Sequence, residues 1–333
     1  MYRELVEKLL QGRHLSFSES YEALREILDG NITPVQVSAL LTALRINGET
    51  PEEIAGFALA MKERAVKLDV EADIDTAGTG GDGMKTFNVS TAAALLLSGR
   101  LRVLKHGNRA VSSSSGSADF LEKLGYNIAL SPLQVKRALE RSGFAFVFAQ
   151  LYHPSMKAVA PIRKELGFRT IFNVLGPLTN PGKVKSQVIG VYSRDKIEVL
   201  GEAAELAGLK RLAIVHGEPS MDEVSPVGYT DVLLIVNGRS ERFRISPEDF
   251  GARKVNLNEL LVSSSEDSVQ KFIDALSGRN EAIAEFIAIN AAFGLFIAGA
   301  AESPKDGYEQ ARSLIDGFNE RLRIIVEVSK SEG

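Results

Sequence analysis

The spacing of apolar residues changes at residue 67, and that change is the strongest limit on what this chain can fold into. Before it, every apolar stripe has helical spacing. Leu5, Leu9 and Leu10 form one stripe, and Tyr21, Leu24, Ile27 and Leu28 form a second, closed by Gly30. Two further segments, 35–46 and 52–66, each open on a Thr-Pro pair, Thr33-Pro34 and Thr50-Pro51. Threonine accepts a hydrogen bond from a first-turn N–H, and proline lacks the N–H that a first helical position would leave unpaired. Short links between these segments predict antiparallel helices packed as neighbours. After residue 67, short apolar runs alternate with helical stretches. Strands are expected at 101–104, 144–148, 187–192 and 212–215, with helices between them such as 91–97, 118–124 and 133–140. Such alternation builds a mostly parallel sheet flanked by helices. Segments 231–236 and 242–245, divided by Asn237-Gly238, predict a hairpin at the sheet edge, and the tail from Glu266 to near residue 328 is helical. The expected fold class is α/β: a small all-helical domain over 1–66, then a larger domain over 67–333.

Bulk properties exclude several function classes. The 333 residues suffice for one large or two modest domains. A net charge of −4 gives no global attraction for nucleic acid or an anionic membrane, so any anion must be held by local chemistry. The absence of cysteine excludes disulfides, thiolate nucleophiles and Cys-ligated zinc, and accords with a reducing cytoplasm. The first 13 residues mix charge with leucine and lack the apolar run of a secretory signal. The longest apolar stretch, 286–301, is interrupted by Asn290. It falls short of the roughly 20 residues a membrane span needs, which predicts a buried helix.

The chemistry concentrates in polar loops after candidate strands, where open α/β sheets place ligands. The first, 75–83, reads DTAGTGGDG, and its four glycines let backbone N–H groups turn toward an anion. Gly78, Gly80 and Gly83 also match G-x-G-x-x-G. A dinucleotide fold would then place an acid about 20 residues on, where this chain has Val103 and Lys105. A phosphate-binding P-loop fails as well, because Lys85 comes one residue too late after Gly83. The second element, Asn88-Val89-Ser90-Thr91, opens an Ala/Leu-rich helix, with Asn88 as expected cap and a first turn suited to an anion. The third runs from Lys105-His106-Gly107-Asn108-Arg109 through the serines 112–115 to Ser117 and Asp119, supplying two cations, hydroxyls and a helix start. Each alone is compatible with an ordinary turn or cap, but together they crowd into 45 residues. The counter-charge is the Asp222-Glu223 pair, suited to hard cations that also touch phosphate oxygens. Finally, His153-Pro154 leads to Arg163, Arg169 and Asn173, and then to Gly176-Pro177. Either arginine can hold a carboxylate in a fork, although a helical arginine is more often a solvated charge.

In order and spacing, DTAGTGGDG, NVST, KHGNRAVSSSSGSAD, HPSMK, RTIFNVLGPLTNP and DEVS resemble the segments of anthranilate phosphoribosyltransferases over nearly the whole chain. The combination of GTGGD with KHGNR is the specific part. The resemblance implies a fold of the nucleoside phosphorylase/phosphoribosyltransferase type. It also implies a cytoplasmic homodimer joined through the helical part, with some of 155–175 folding beside the helical domain. Phosphoribosyl pyrophosphate (PRPP) is then expected on Gly78, Gly81, Asp82, Thr86, Asn88, Ser90 and Thr91, closed by Lys105, Asn108, Ser112, Ser113 and Ser117. Ser90, Asp222 and Glu223 are the expected ligands of Mg²⁺, two ions in number. Anthranilate is expected near Gly78, His106, Asn108, His153, Arg163, Gly176 and Pro177. No nucleic-acid or membrane partner is expected. The rivals are a pyrimidine nucleoside phosphorylase and a non-catalytic nucleic-acid-binding relative.

Overall fold

The computed structural model describes residues 2–110 and 115–331. Its seven strands are β1 (Glu71–Gly78), β2 (Val103–Gly107), β3 (Phe144–Phe148), β4 (Lys183–Gly190), β5 (Arg211–Gly217), β6 (Thr230–Val236) and β7 (Arg239–Ile245). They form one sheet in the order β3-β2-β1-β4-β5-β6-β7. The first five are mutually parallel, and β6 and β7 add an antiparallel hairpin at one edge. Asn237 and Gly238 both take positive φ in its turn, as a two-residue hairpin requires. The strand order reverses between β1 and β4. A crevice opens at such a switch point outside the carboxyl ends of the strands.

Four helices precede the sheet: α1 (Tyr2–Leu10), α2 (Phe17–Leu28), α3 (Pro34–Asn47) and α4 (Pro51–Glu63). Thr33 and Thr50 cap α3 and α4, and each forms a reciprocal capping box, with Gln36 and Glu53 respectively. Between the strands come α5 (Val89–Leu97), α6 (Ser117–Lys123), α7 (Pro132–Ser142), α8 (Ala149–Tyr152), α9 (Ala160–Leu166), α10 (Phe172–Leu175) and α11 (Lys196–Leu206). The tail holds α12 (Leu257–Leu260), α13 (Ser265–Leu276), α14 (Glu281–Ala298), α15 (Pro304–Ile315) and α16 (Phe318–Ser331).

Alternation along the strands divides the core. Val188, Ala213, Val215 and Val232 join one hydrophobic cluster, with α5 and α14. Their neighbours Ile189, Leu212, Ile214, Leu233 and Ile235 join a second cluster on the opposite face. That second cluster contains the cores of α1–α4 and also Val159, Ile162, Ile171, Phe172 and Leu175. The helical start and the 159–175 segment therefore share one packed interior with this sheet face. Helix α14 has the length and composition to cross a membrane, yet 78% of that stretch is buried inside the fold.

Several boundaries differ from the sequence expectation. Strand β1 is absent from the expected strands, and residues 75–78, read as loop, complete it. Strand β2 starts at Val103 and runs on through Lys105 and His106, which therefore lie within a strand. Leu10 is 70% exposed and does not belong to the buried stripe of Leu5 and Leu9.

Candidate active site

Four parallel strands, β1, β2, β4 and β5, each end in glycine: Gly78, Gly107, Gly190 and Gly217. Three of these glycines seat one turn. A Cβ on Gly78 would lie 2.1 Å from Asp222 Oδ2, one on Gly190 would lie 1.5 Å from the Asp222 carbonyl oxygen, and one on Gly217 would lie 2.5 Å from that of Glu223. Any side chain on these strand ends would expel the acidic turn from the crevice. The turn is fastened from other sides too. Gly80 N–H donates to Asp222 Oδ2 at 2.7 Å, and Gly217 and Met221 exchange backbone hydrogen bonds. Ser225 N–H donates to Thr230 Oγ1 at 2.9 Å.

The glycine loop completes this acidic centre. Gly80, Gly81 and Gly83 all have positive φ, which turns the chain back over the strand ends. Asp82 Oδ1 accepts from Met84 N–H at 3.0 Å, a local turn of the kind short acidic side chains stabilise. Asp82, Asp222 and Glu223 each offer a ligand atom, all within 4.8 Å of one another. The sequence reading puts Asp82 among the PRPP contacts but not among metal ligands; the spacing of 140 residues in sequence hides the association. Burial raises the Asp222 carboxyl to about 7, helped by the neighbouring charge of Asp82. Glu223 is raised too, by burial and then by Asp222 and Asp82, and its Oε2 is buried with no protein partner. Three crowded carboxylates with an unsatisfied buried oxygen fit the donor set a hard divalent cation requires, since such an ion would relieve both burial and mutual repulsion.

The helix after the loop is held differently from expectation. Asn88 occupies the cap position of α5, but its side chain does not cap. It donates to Ser115 O at 3.0 Å and accepts from Ser268 Oγ at 2.8 Å, tying three segments together. Thr76 Oγ1 donates to Ser90 O at 2.9 Å, which fixes the first turn of α5 against β1. Thr86 sits on an isolated bridge to Leu261 just before α5. The two cations of the third segment part ways. Lys105 is buried beneath the strand ends, with its ammonium donating to Thr76 O at 2.5 Å and lying 3.5 Å from Ser90 Oγ. Burial lowers it to about 8, opposed by the nearby charges of Asp75, Glu223 and Asp222. Arg109 instead pairs with Asp119 and Glu122 and is neutralised there. Asn108 accepts from Gln150 Nε2 at 3.2 Å, and Ser117 opens α6 beside Gly107. Ser112 and Ser113 lie outside the described residues.

A second group of side chains has a different character. His106 and His153 are buried with ring centroids 5.1 Å apart. His106 Nδ1 is 3.2 Å from Gly176 O, while its Nε2 and both nitrogens of His153 lack a hydrogen-bond partner. Burial lowers His106 to about 3, assisted by His153. Burial also lowers His153 to about 4, partly offset by the backbone at Thr179 and Met61. Both rings are therefore neutral at physiological pH. Arg163, on α9, stacks over Phe172 at 5.4 Å, and no ion pair among the described residues engages it. Burial lowers its pKa. The Pro177 carbonyl accepts from Gln187 Nε2 at 3.0 Å, which pins the Gly176-Pro177 turn to β4. Arg169 does not join this group: it stacks on Tyr192 at 4.1 Å and donates to the Gly81 carbonyl, bracing the glycine loop. Two asparagines have no site role in the sequence reading. Asn180 Nδ2 donates to Asp75 Oδ2 and to Leu104 O, both at 2.9 Å, and locks β1 to β2 below the crevice. Asn290 holds the acidic turn through Val224, and its place in an apolar run is the only sequence signal of that task.

Comparison with known proteins agrees with this architecture. The family model described as glycosyl transferase family, helical bundle domain, matches residues 3–65, and that of the a/b domain of the same family matches residues 71–317. The chain is 46% identical over 326 residues to the anthranilate phosphoribosyltransferase of Saccharolobus solfataricus, covering 98% of this chain and 94% of that protein. It is 47% identical over 324 residues to that of Metallosphaera sedula, covering 97% and 94%. Among solved structures, anthranilate phosphoribosyltransferase from Thermus thermophilus superposes with a TM-score of 0.90 at 38% identity, covering 98% of this chain and 99% of that one. The Saccharomyces cerevisiae enzyme, solved in complex with PRPP and Mg, gives a TM-score of 0.90 at 31% identity, covering 99% and 98%.

Proposed function

The chain belongs to the anthranilate phosphoribosyltransferase family, and on that premise we propose that it transfers the 5-phosphoribosyl group of PRPP to the amine of anthranilate, releasing pyrophosphate in tryptophan biosynthesis. The observation that carries this reading is the convergence of Asp82, Asp222 and Glu223 on the glycine loop at the sheet's switch point. Asp82, Asp222, Glu223 and the hydroxyl of Ser90 would hold Mg²⁺, two ions in this reading, which when bound offsets the charge of the departing pyrophosphate.

PRPP lies on Gly78, Gly81, Asp82, Thr86, Asn88, Ser90 and Thr91, with Lys105, Asn108 and Ser117 on the far side. The left-handed turn at Gly80 and Gly81 supports this placement, because it exposes backbone donors to an anion. The bond from ribose C1 to pyrophosphate breaks, positive charge develops on the ring, and the anthranilate nitrogen forms the new bond and gives up one proton to the released pyrophosphate or to water. An aryl amine is neutral at pH 7, so positioning matters more than base strength. Arg163 receives the anthranilate carboxylate, with Gly78, His106, Asn108, His153, Gly176 and Pro177 around the ring. The depressed pKa values of His106 and His153 fit orienting groups and not proton stores. The domain boundary at residue 66, with part of 155–175 on the helical side, belongs to the same reading and is supported by their shared hydrophobic cluster.

A homodimer formed through the helical domain, working in the cytoplasm, completes the proposal. Its support is the exposure of Leu10, Val35 and Ile46, at 70%, 80% and 79%. The decisive assay follows the fluorescence of anthranilate as it is consumed with PRPP and Mg²⁺. Consumption that requires both supports the reading. Phosphate-dependent cleavage of thymidine, or a single-stranded DNA shift without turnover, would replace it.

A further inference from the structure

Helix α14 is apolar from Phe286 to Ala298 except at one position, Asn290. A carboxamide there is unfavourable unless its hydrogen bonds are met. They are met by the residue that follows the acid pair. Val224 N–H donates to Asn290 Oδ1 at 3.1 Å, and Asn290 Nδ2 donates to Val224 O at 2.9 Å and to Phe286 O at 3.0 Å. One side chain thus grips both backbone groups of Val224, as a neighbouring strand would. Asn290 also lines the small cavity beneath the crevice together with Ser90, Asp222 and Glu223.

We infer that Asn290 is a positioning residue that sets the height of Asp222 and Glu223 over the strand ends and thereby the affinity of the acidic centre for its cation. The strand-end glycines admit the turn from one side, and they make space without supplying attraction. Asn290 supplies the attraction from the helix side, through a half-buried carboxamide whose orientation is fixed by its third hydrogen bond, to Phe286 O in its own helix. The inference rests on the proposed metal role of the acid pair. Losing Asn290 would leave Val224 N–H and C=O unpaired in an apolar pocket, and the turn would shift toward water to satisfy them.

The test uses the full-length, substrate-free enzyme with Mn²⁺ as probe, read by water-proton relaxation, beside steady-state kinetics. Asn290→Leu keeps the branched shape of the side chain and removes both hydrogen-bonding functions. Mn²⁺ affinity should fall roughly 10–100-fold, the size typical for losing a group that orients metal ligands. Turnover should recover as the metal is raised, and KM for anthranilate should stay as in the unaltered enzyme. Wild-type Mn²⁺ affinity in Asn290→Leu, whatever its melting temperature, overturns the inference. Should that variant fail to fold, Asn290→Ala gives the same readout with a smaller perturbation and the same two outcomes. Glu223→Gln separates the levels. If it binds Mn²⁺ normally, the metal reading itself falls and the inference with it; if it loses Mn²⁺ while Asn290→Leu retains it, only the role of Asn290 falls.

Discussion

The two halves of the crevice are built on opposite plans. On the acid side almost every group is held: Asp222 accepts from Gly80, Asp82 from Met84, Val224 is gripped by Asn290, and three glycines close beneath. On the acceptor side polar atoms are buried and left unpaired. His106 Nε2, both nitrogens of His153, Ser155 Oγ and Thr170 Oγ1 have no hydrogen-bond partner, and Arg163 has no ion pair among the described residues. The acid side has spent most of its hydrogen-bonding capacity on its own geometry, leaving Glu223 Oε2 and Thr91 Oγ1 unpaired, and it holds three carboxylates together. The acceptor side keeps hydrogen-bonding capacity for a ligand and holds its geometry by packing, as with Arg163 on Phe172. Under the proposed function, that division would give a rigid anchor for the phosphates and an adaptable pocket for a flat, weakly basic acceptor.

The contrast breaks most visibly if the charge is removed from the anchored half. Asp222→Asn with Glu223→Gln should lower kcat/KM on the order of 10²–10³-fold, comparable to losing a main electrostatic group at a transition state. Far-UV circular dichroism should be unchanged, because both substitutions keep the shape that the glycines accept. Unaltered turnover at limiting Mg²⁺ would dissolve the distinction between the halves. In the other half, Arg163→Ala should raise KM for anthranilate by on the order of 10–100-fold, corresponding to about 1.5–3 kcal/mol for a hydrogen bond to a charged group. KM for PRPP should barely move. Equal changes in both constants would make Arg163 part of the scaffold and erase the division.

The same division explains what is legible in the sequence. Local signals suffice for α3 and α4, because Thr-Pro followed by Gln36 or Glu53 closes a capping box within four residues. The hairpin at Asn237-Gly238 is equally local. Strand β1 is not, since its end carries Asp75 and Thr76, polar groups that look solvent-seeking until Asn180, Lys105 and Ser90 arrive from elsewhere in the chain. The glycine loop and the acid pair stand out as chemistry. Their junction with Asp82 and the support from Asn290 span 140 and 66 residues and leave no periodic trace. Arg109 misleads because its partners Asp119 and Glu122 lie 10 and 13 residues further on, one turn apart on a helix whose start reads as an anion seat.

A gentler probe separates anchoring from charge. Gly81 has φ of +80°, and an added Cβ would meet the Arg169 guanidinium at 3.1 Å. The left-handed conformation costs alanine about 1–2 kcal/mol. If the ligand-free loop escapes that cost by relaxing out of the left-handed conformation, Gly81→Ala should lower the ligand-free melting temperature only slightly, while PRPP, which needs the turn restored, should bind on the order of tenfold more weakly by calorimetric titration. Normal PRPP affinity with a lowered melting temperature would mean that the loop serves the fold and not the phosphates.

The smallest expected effect lies in the pH dependence of stability, where the halves have opposite signs. Asp222 titrates at about 7 in the folded chain, against roughly 4 for an unfolded carboxyl. Between those values the folded state keeps a proton that the unfolded chain has released, so this group makes stability fall as pH rises toward 7. Glu223 shifts in the same direction. His106 and His153, at about 3 and about 4 when folded, titrate near 6.5 when unfolded. There the unfolded chain binds the extra protons, and stability falls as pH drops below that value. From about pH 4 to 6.5 the two slopes oppose each other, and just above 6.5 only the acid side still contributes. Melting curves without metal should therefore decline by a few degrees as the pH rises from 6.5 through about 7, and Asp222→Asn should flatten that decline. A divalent cation competes with the carboxyl protons, so stabilisation by Mg²⁺ should grow across the same interval. Equal stabilisation by Mg²⁺ at pH 5.5 and pH 8 would place the cation away from the buried acids and return the anchored half of the crevice to a purely structural account.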